Sequence, residues 1–124
     1  MSGIMYGYAR VSTRNQREDR QLSALRAFGV AAEHITVEKQ SGKDFDRPLY
    51  QRLTRSLSPG DVLVVKSIDR LGRNYAEILD QWARITKTRG AAIVVLDMPL
   101  LDTRAGRDLT GTLVADIVLQ LLSY

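Results

Sequence analysis

The sequence lacks several residue types and patterns that would point to common classes of protein. It has no cysteine and a single histidine, His34. The absence of cysteine excludes disulfides, thiolate nucleophiles and cysteine-ligated zinc, and it fits a reducing compartment, so we expect a cytoplasmic protein. No apolar run is long enough to cross a bilayer and no basic-then-apolar leader opens the chain. We therefore expect no membrane partner.

Two groups of ligand-binding motifs are also missing. The chain contains neither G-x-x-x-x-G-K-[ST] nor G-x-G-x-x-G, the glycine-rich loops that bind nucleoside triphosphates and dinucleotides. No cluster of carboxylates follows the first predicted strand, where a Mg²⁺ site or a phospho-acceptor would be expected. We therefore expect a protein that works without a nucleotide, a metal or any other cofactor.

The basic residues that are present are mostly arginine. The net charge is +4, and of the 18 basic residues 14 are arginine and 4 are lysine. The planar guanidinium pairs bidentately with phosphate or carboxylate and keeps its charge. Ordinary surface ion pairs with the 14 acidic residues explain this composition equally well, so composition alone does not identify the partner.

The apolar pattern of the 124 residues predicts one α/β domain with strands that alternate with helices. We predict strands over residues 4–9, 35–38, 61–66 and 91–97, and helices over residues 15–28, 48–57, 74–89 and from about 107 to 124. The two later strands are apolar on both faces, which is typical of a mainly parallel sheet flanked by helices, in a flavodoxin-like arrangement. An α/β unit is expected over residues 1–105 and the start of a long helix over residues 106–124.

Loops that follow parallel strands emerge at one edge of the sheet, where open α/β sheets bind their ligands. The predicted loops 10–13, 40–47 and 67–73 share that edge. Together they contribute four arginines, a lysine, an aspartate and two serines: Arg10, Ser12, Ser41, Lys43, Arg47, Asp69, Arg70 and Arg73. This set predicts a phosphate site, although an Asp–Arg pair in an exposed turn is by itself common and contributes little.

Ser12 is the candidate nucleophile at this edge, although a serine before a helix is most often only an N-cap. His34 precedes the second strand, at the opposite edge, so no imidazole can serve Ser12 as a base. Attack on a phosphodiester fits these limits, because fixed guanidinium groups stabilise the charge that develops on phosphate oxygens and ease ionisation of the hydroxyl. Asp69 is the carboxylate best placed to donate a proton or to orient an arginine.

The last predicted helix is too apolar for a helix that covers only one side of a sheet. Nine of the fourteen residues from Leu109 to Leu122 are Leu, Val, Ile or Ala, and Asp116 is the only charged one. The surplus predicts a subunit interface formed by Leu113, Ile117, Val118 and Leu121. No Gly, Asn or Pro stop signal precedes Tyr124, so we expect that the helix continues in a longer protein.

Four blocks of sequence, in order, resemble the catalytic domain of the serine recombinases, the resolvase/invertase family. They are Tyr8-Ala9-Arg10-Val11-Ser12-Thr13 followed by Gln21, Gln40-Ser41-Gly42-Lys43, Asp46-Arg47, and Val65 to Arg73 (VKSIDRLGR). The resemblance implies that Ser12 attacks the DNA backbone and forms a covalent 5′-phosphoserine link. It also implies roles for the other residues: Arg10, Arg70 and Arg73 surround the phosphate, Arg47, Ser41 and Lys43 reach the DNA from a loop, Asp69 assists proton transfer, and Gln21 supports the site.

The same resemblance implies DNA as the partner, at a crossover site, with a homodimer that assembles into a synaptic homotetramer through the last helix. It implies a separate DNA-binding domain beyond this chain, in a protein encoded by a bacterium or a mobile element. Two alternatives remain from the sequence. One is a non-catalytic relative that only oligomerises and grips the DNA backbone, and the other is a flavodoxin-like or phosphatase-like domain that holds a small phosphate ligand.

Overall fold

The computed structural model describes residues 3–11, 16–39, 47–98 and 104, with the backbone alone for residues 16–19. Seven regular elements follow one another: β1 (Met5–Val11), α1 (Gln16–Phe28), β2 (Ile35–Lys39), α2 (Pro48–Ser56), β3 (Val62–Val65), α3 (Tyr75–Ala83) and β4 (Ala92–Val95). In this part of the chain, no helix combines the length and apolar character needed to cross a membrane. The predicted last helix lies outside the described residues.

The four strands form one parallel sheet with the order β2-β1-β3-β4. Gly7 in β1 lies opposite Ile35 in β2 and Val64 in β3. β3 and β4 consist only of apolar residues, three of the four in each being β-branched, because both faces of these strands are covered. The predicted parallel sheet flanked by helices is thus confirmed.

Each face of the sheet has its own apolar core. On one face, side chains of β1, β3 and β4 pack against α2 and α3, with Tyr8, Tyr50, Leu63, Leu71 and Ile85 almost fully buried. On the other face, α1 packs with Leu25 against Ala9, Val64 and Val94. The protein therefore has three layers, with α1 alone on one side of the sheet in the described part of the chain.

Most element boundaries shift by one or two residues from the sequence prediction, and two differences are larger or affect the site. β1 continues to Val11, because Arg10 and Val11 still pair with Glu38 and Lys39 of β2, so Arg10 lies in a strand and not in the loop. The helix predicted over residues 74–89 is α-helical only to Ala83 and continues as a π-helical turn, Arg84–Thr88. Gly90, with φ of 71°, then leads into β4.

Candidate functional site

The order of the strands creates a crevice between β1 and β3 at the carboxyl edge of the sheet. The connection from β1 to β2 carries α1 on one face, whereas the connection from β3 to β4 carries α3 on the other. Connections that leave two neighbouring strands in opposite directions open the place where α/β proteins bind ligands. Arg10 lies near the end of β1, and a 3₁₀ turn, Ile68–Arg70, follows β3 at the same edge.

The main chain of Arg10 is held by hydrogen bonds from two directions. Gln21 of α1, which is 6% exposed, accepts from Arg10 N at 3.3 Å and donates from Nε2 to Arg10 O at 3.1 Å. Arg70 donates from Nη1 to the same carbonyl at 3.0 Å. The end of β1, two residues before Ser12, is therefore fixed by both α1 and the turn after β3.

Arg47 is the second arginine that contacts this turn. It is the N-cap residue of α2 and only 5% exposed. Its Nη1 donates to Arg70 O at 2.6 Å and its Nη2 to Leu71 O at 2.9 Å, while the guanidinium carbon lies 3.8 Å from the centre of the Tyr50 ring. The side chain thus contacts main chain and an aromatic face, in a buried place that the sequence prediction of a loop arginine did not anticipate.

Glu38, at the end of β2, is a site residue that the sequence analysis missed. Its carboxylate is 2% exposed and accepts hydrogen bonds from Tyr8 Oη at 2.8 Å, Tyr50 N at 3.0 Å and Leu49 N at 2.8 Å. The two amides belong to the first turn of α2, where the helix dipole favours a negative charge. Glu38 therefore fixes the start of the helix that carries Arg47.

The two tyrosines beside Glu38 and Arg47 are protonated phenols. Burial, and then the hydrogen bond to the Glu38 carboxylate, raise the pKa of Tyr8 far above its ordinary value of 10.0. Burial also raises the pKa of Tyr50 to about 12, against the opposing effect of the Arg47 guanidinium. The rings meet edge to face at 4.9 Å between centroids. Tyr8 therefore keeps its proton at neutral pH and donates it to Glu38 in the hydrogen bond.

Asp69 and Arg73 flank the turn on its exposed side. Asp69 accepts a hydrogen bond from Ser67 Oγ at 2.6 Å and forms an ion pair with Arg70 Nε at 3.6 Å. Arg73 forms a fork with Glu77 of α3, with Nε–Oε1 and Nη2–Oε2 distances of 3.3 and 2.9 Å, and its main-chain N donates to Glu77 Oε1 at 2.8 Å. The side-chain hydrogen bonds from Arg73 lower the pKa of Glu77 to about 2.

A cleft of about 570 Å³ opens beside these residues, between the turn, α3 and the end of β4. Its walls include Asp69, Arg73, Tyr75, Asp97 and Met98. Gly72 also lines this cleft, and a Cβ at that position would come within 2.7 Å of Glu77 Cβ. The turn and α3 are therefore in direct contact, and the position of Arg73 depends on that contact.

The structure thus brings several predicted site residues together and leaves others outside the described residues. Arg10, Gln21, Arg47 and Arg70 form one hydrogen-bonded cluster, Asp69 adjoins it, and Arg73 is turned toward Glu77. Outside the described residues lie Ser12, Ser41, Lys43 and the predicted interface residues Leu113, Ile117, Val118 and Leu121. His34 precedes β2 at the opposite edge, as predicted, but it is partly buried against the Tyr6 ring, at 5.5 Å between centroids, and is not a free surface residue.

The family sequence pattern "Resolvase, N terminal domain" matches residues 5–121. The chain belongs to the resolvase family. It is 40% identical over 93 residues to the transposon Tn3 resolvase of Escherichia coli, a match that covers 75% of this chain and 50% of that protein. It is also 39% identical over 93 residues to the R46 site-specific recombinase of Escherichia coli, covering 75% of this chain and 48% of that protein. The chain therefore spans about half the length of the curated relatives it matches.

A solved structure shows the same fold. The crystal structure of the N-terminal catalytic domain of TP901-1 integrase superposes with a TM-score of 0.64 at 24% identity, covering 97% of this chain and 98% of that one. The fold of the chain, a parallel sheet flanked by helices, therefore agrees with its membership of the resolvase family.

Proposed function

We propose that this chain is the catalytic domain of a site-specific DNA recombinase in which Ser12 is the nucleophile. The observation that carries the proposal is that the Arg10 carbonyl accepts two hydrogen bonds, from Gln21 Nε2 at 3.1 Å and from Arg70 Nη1 at 3.0 Å. These hydrogen bonds hold Arg10, two residues before Ser12 in the sequence, beside the Arg70 guanidinium at the carboxyl edge of the sheet. The names of the relatives, a transposon resolvase and a site-specific recombinase, support the same activity.

In the proposed reaction, Ser12 Oγ attacks the phosphorus of a DNA phosphodiester. A bond forms between Oγ and phosphorus, the bond from phosphorus to the 3′ oxygen breaks, and the serine proton leaves to solvent. The 3′ oxygen takes a proton, for which Asp69 is the proposed donor, and departs as a hydroxyl. Rejoining reverses these steps with a 3′-hydroxyl as the nucleophile, so the phosphoserine conserves the bond energy and no nucleotide is consumed.

The arginines supply the electrostatic part of this chemistry. Negative charge grows on the non-bridging oxygens in the transition state, and guanidinium groups already held in place stabilise it without reorganisation. Arg10, Arg70 and Arg73 are the proposed groups. Arg70 is held by its hydrogen bond to Arg10 and its ion pair with Asp69, whereas Arg73 must exchange its carboxylate partner Glu77 for a phosphate.

Further parts of the proposal concern the DNA and the assembly. Ser41, Lys43 and Arg47 belong to the segment between β2 and α2, which we propose to approach the crossover site. The proposed division is a catalytic unit over residues 1–105 and a helix beginning at residue 106 that pairs subunits through Leu113, Ile117, Val118 and Leu121 into dimers and synaptic tetramers. The proposed place of action is bacterial DNA in the cytoplasm.

The test uses the full-length protein and a DNA substrate nicked at the crossover, which traps a covalent adduct. The wild type should form a protein–DNA adduct that survives denaturation, and Ser12→Ala should form none while it binds DNA as well as before. Ser23→Ala, on the exposed side of α1, is the matched control and should react normally. An adduct formed equally by Ser12→Ala would refute the assignment, and no adduct from the wild type would favour a non-catalytic relative.

A further inference from the structure

Arg47 is buried in a way that a ligand of the DNA phosphate would not need to be. Both of its terminal nitrogens donate to main-chain carbonyls, those of Arg70 and Leu71, and the Tyr50 ring covers the guanidinium at 3.8 Å. A buried guanidinium is tolerated when carbonyl acceptors and an aromatic face replace water, as they do here. These two hydrogen bonds are directed into the protein.

The carbonyls that Arg47 contacts lie at the end of the 3₁₀ turn that follows β3. The same turn projects the Arg70 side chain, whose Nη1 holds the Arg10 carbonyl. Arg47 therefore fixes the main chain of Arg70, and Arg70 in turn fixes the end of β1. A shift of the turn by about 1 Å would move the Arg70 guanidinium by at least as much, and such misplacement can slow a reaction about 100-fold.

The position of Arg47, the N-cap residue of α2, is itself fixed by the start of that helix. Glu38 accepts hydrogen bonds from Leu49 N and Tyr50 N, so the first helical turn after Arg47 is tied to the end of β2. Contacts thus run without a break from β2 through Glu38, Arg47 and Arg70 to Arg10 in β1. The links from Glu38 to the first turn of α2, from Arg47 to the Arg70 carbonyl and from Arg70 to the Arg10 carbonyl are hydrogen bonds between buried or partly buried groups. The chain itself connects Leu49 and Tyr50 to Arg47.

We propose that Arg47 is a positioning residue that holds the Arg70–Leu71 main chain and does not itself bind the scissile phosphate. This inference rests on the proposed function, and it departs from the role that the family resemblance implies for this arginine. Its consequence is that the loss of Arg47 acts on the reaction only through Arg70.

Substitution of Arg47 by lysine in the full-length protein tests this consequence. Lysine keeps the charge but cannot donate to two carbonyls with a planar fork. We expect cleavage to slow about 100-fold, with no further slowing when Arg47→Lys is added to Arg70→Lys. In Arg47→Met, which removes the charge, the dependence of DNA affinity on salt should stay that of the wild type, because no phosphate contact is lost. Arg52→Lys, on the exposed side of α2, is the control and should cleave normally.

If Arg47 bound the DNA phosphate itself, each of these measurements would give a different result. The effects of Arg47→Lys and Arg70→Lys would then multiply, and truncation of Arg47 to methionine would lower the salt slope by about one. Either result overturns the proposal. Since Arg47→Met removes a buried fork, its circular dichroism spectrum and melting temperature are recorded first.

A measurement on the wild type alone covers the case in which neither variant folds. A dicarbonyl reagent that modifies arginine is applied with and without DNA, and the modified residues are located by mass spectrometry. Arg47 should react slowly and at the same rate in both samples, whereas Arg73, whose side chain is 56% exposed, should become protected by DNA. Protection of a reactive Arg47 by DNA would overturn the inference. The result is independent of Ser12, so failure of the covalent mechanism would be recognised separately in the adduct assay.

Discussion

The side-chain amide of Gln21 forms two hydrogen bonds with the main chain of Arg10, one in each direction. An amide side chain that pairs with a peptide in this way substitutes for a neighbouring strand. It satisfies the main-chain N–H and C=O of Arg10 in β1. The pair therefore ties α1 to Arg10, which precedes the proposed nucleophile Ser12 by two residues in the sequence.

Gln21→Glu tests this pair. The variant keeps an acceptor for Arg10 N but places a carboxylate oxygen against Arg10 O, so a buried donor is lost and two oxygens face each other. We expect a loss of about 1–3 kcal/mol in the free energy of unfolding, together with slower cleavage of DNA at temperatures where the variant is folded. Denaturant titration measures the first. Gln51→Glu, an exposed position on α2, should change neither, and equal stability of the two variants would contradict the role of Gln21.

At Arg10 and Arg70 we expect the shape of the guanidinium to matter as much as its charge. Lysine at either position keeps the charge and loses the fork. We expect each variant to cleave about 10²-fold more slowly, the scale of losing one preorganised donor, while DNA binding changes little. Single-turnover cleavage of a nicked substrate is the measurement. Arg55→Lys, exposed on α2, is the control, and near-normal rates in both variants would mean that bulk charge suffices.

Glu38→Gln should destabilise the domain more than its conservative appearance indicates. The carboxylate accepts three hydrogen bonds, whereas a glutamine has one oxygen and places an NH₂ group against donors. We expect a loss of about 1–3 kcal/mol in the free energy of unfolding, and about 1 kcal/mol for Tyr8→Phe, which removes one of the three. Denaturation midpoints at unchanged m-value give both quantities. If Tyr8→Phe destabilised the protein as much as Glu38→Gln, the hydrogen bond from Tyr8 alone would account for the stabilisation, and the two helix amides would contribute nothing.

The sequence pattern was enough to predict the sheet, because β3 and β4 are short apolar runs rich in β-branched residues with no competing pattern. The shared edge of Arg10, Arg47 and Arg70 followed from the parallel topology alone. Glu38 was missed because a single glutamate at the end of a short strand has the same local sequence whether it faces water or a helix N-terminus. The burial of Arg47 was missed for a similar reason, since its acceptors are carbonyls that become available only through the long-range packing of the turn against α2.

The Glu77–Arg73 pair predicts a dependence of stability on acid pH. The pKa of Glu77 falls from its ordinary value of 4.5 to about 2 in the folded protein, chiefly through hydrogen bonds from the Arg73 side chain. A lowered folded pKa means that the stabilisation is complete above pH 4.5 and is lost as the pH falls toward 2. The pair is largely exposed, so we expect less than about 1 kcal/mol.

Melting of the wild type and Glu77→Gln at several pH values measures this contribution. The wild type should melt at the higher temperature at pH 6, and the difference should shrink as the pH is lowered through the range below 4.5. Glu33→Gln, at an exposed position, is the control, for which no such convergence is expected. A difference between wild type and Glu77→Gln that stayed constant with pH would assign the effect to helix capping and not to the ion pair.

Gly72 fixes the distance between the turn and α3, and Gly72→Ala tests whether that distance matters for the reaction. The new Cβ would lie 2.7 Å from Glu77 Cβ, 2.8 Å from Ile78 N and 2.9 Å from Glu77 C, so the start of α3 must move. We expect a loss of about 1–3 kcal/mol in stability and, because Arg70 and Arg73 lie on either side of Gly72, a further loss of cleavage in the folded protein.

Gly7→Ala is the matched comparison for Gly72→Ala. Its Cβ would meet only the ends of side chains, at 3.1 Å from Leu25 Cδ1 and 3.3 Å from Val30 Cγ1, in the middle of β1. These atoms can shift, so the variant should lose less stability, and it should cleave at the normal rate once folded because the carboxyl edge is untouched. If Gly72→Ala and Gly7→Ala cleaved DNA at the same rate per folded molecule, the contact between the turn and α3 would affect the stability of the protein and not the reaction.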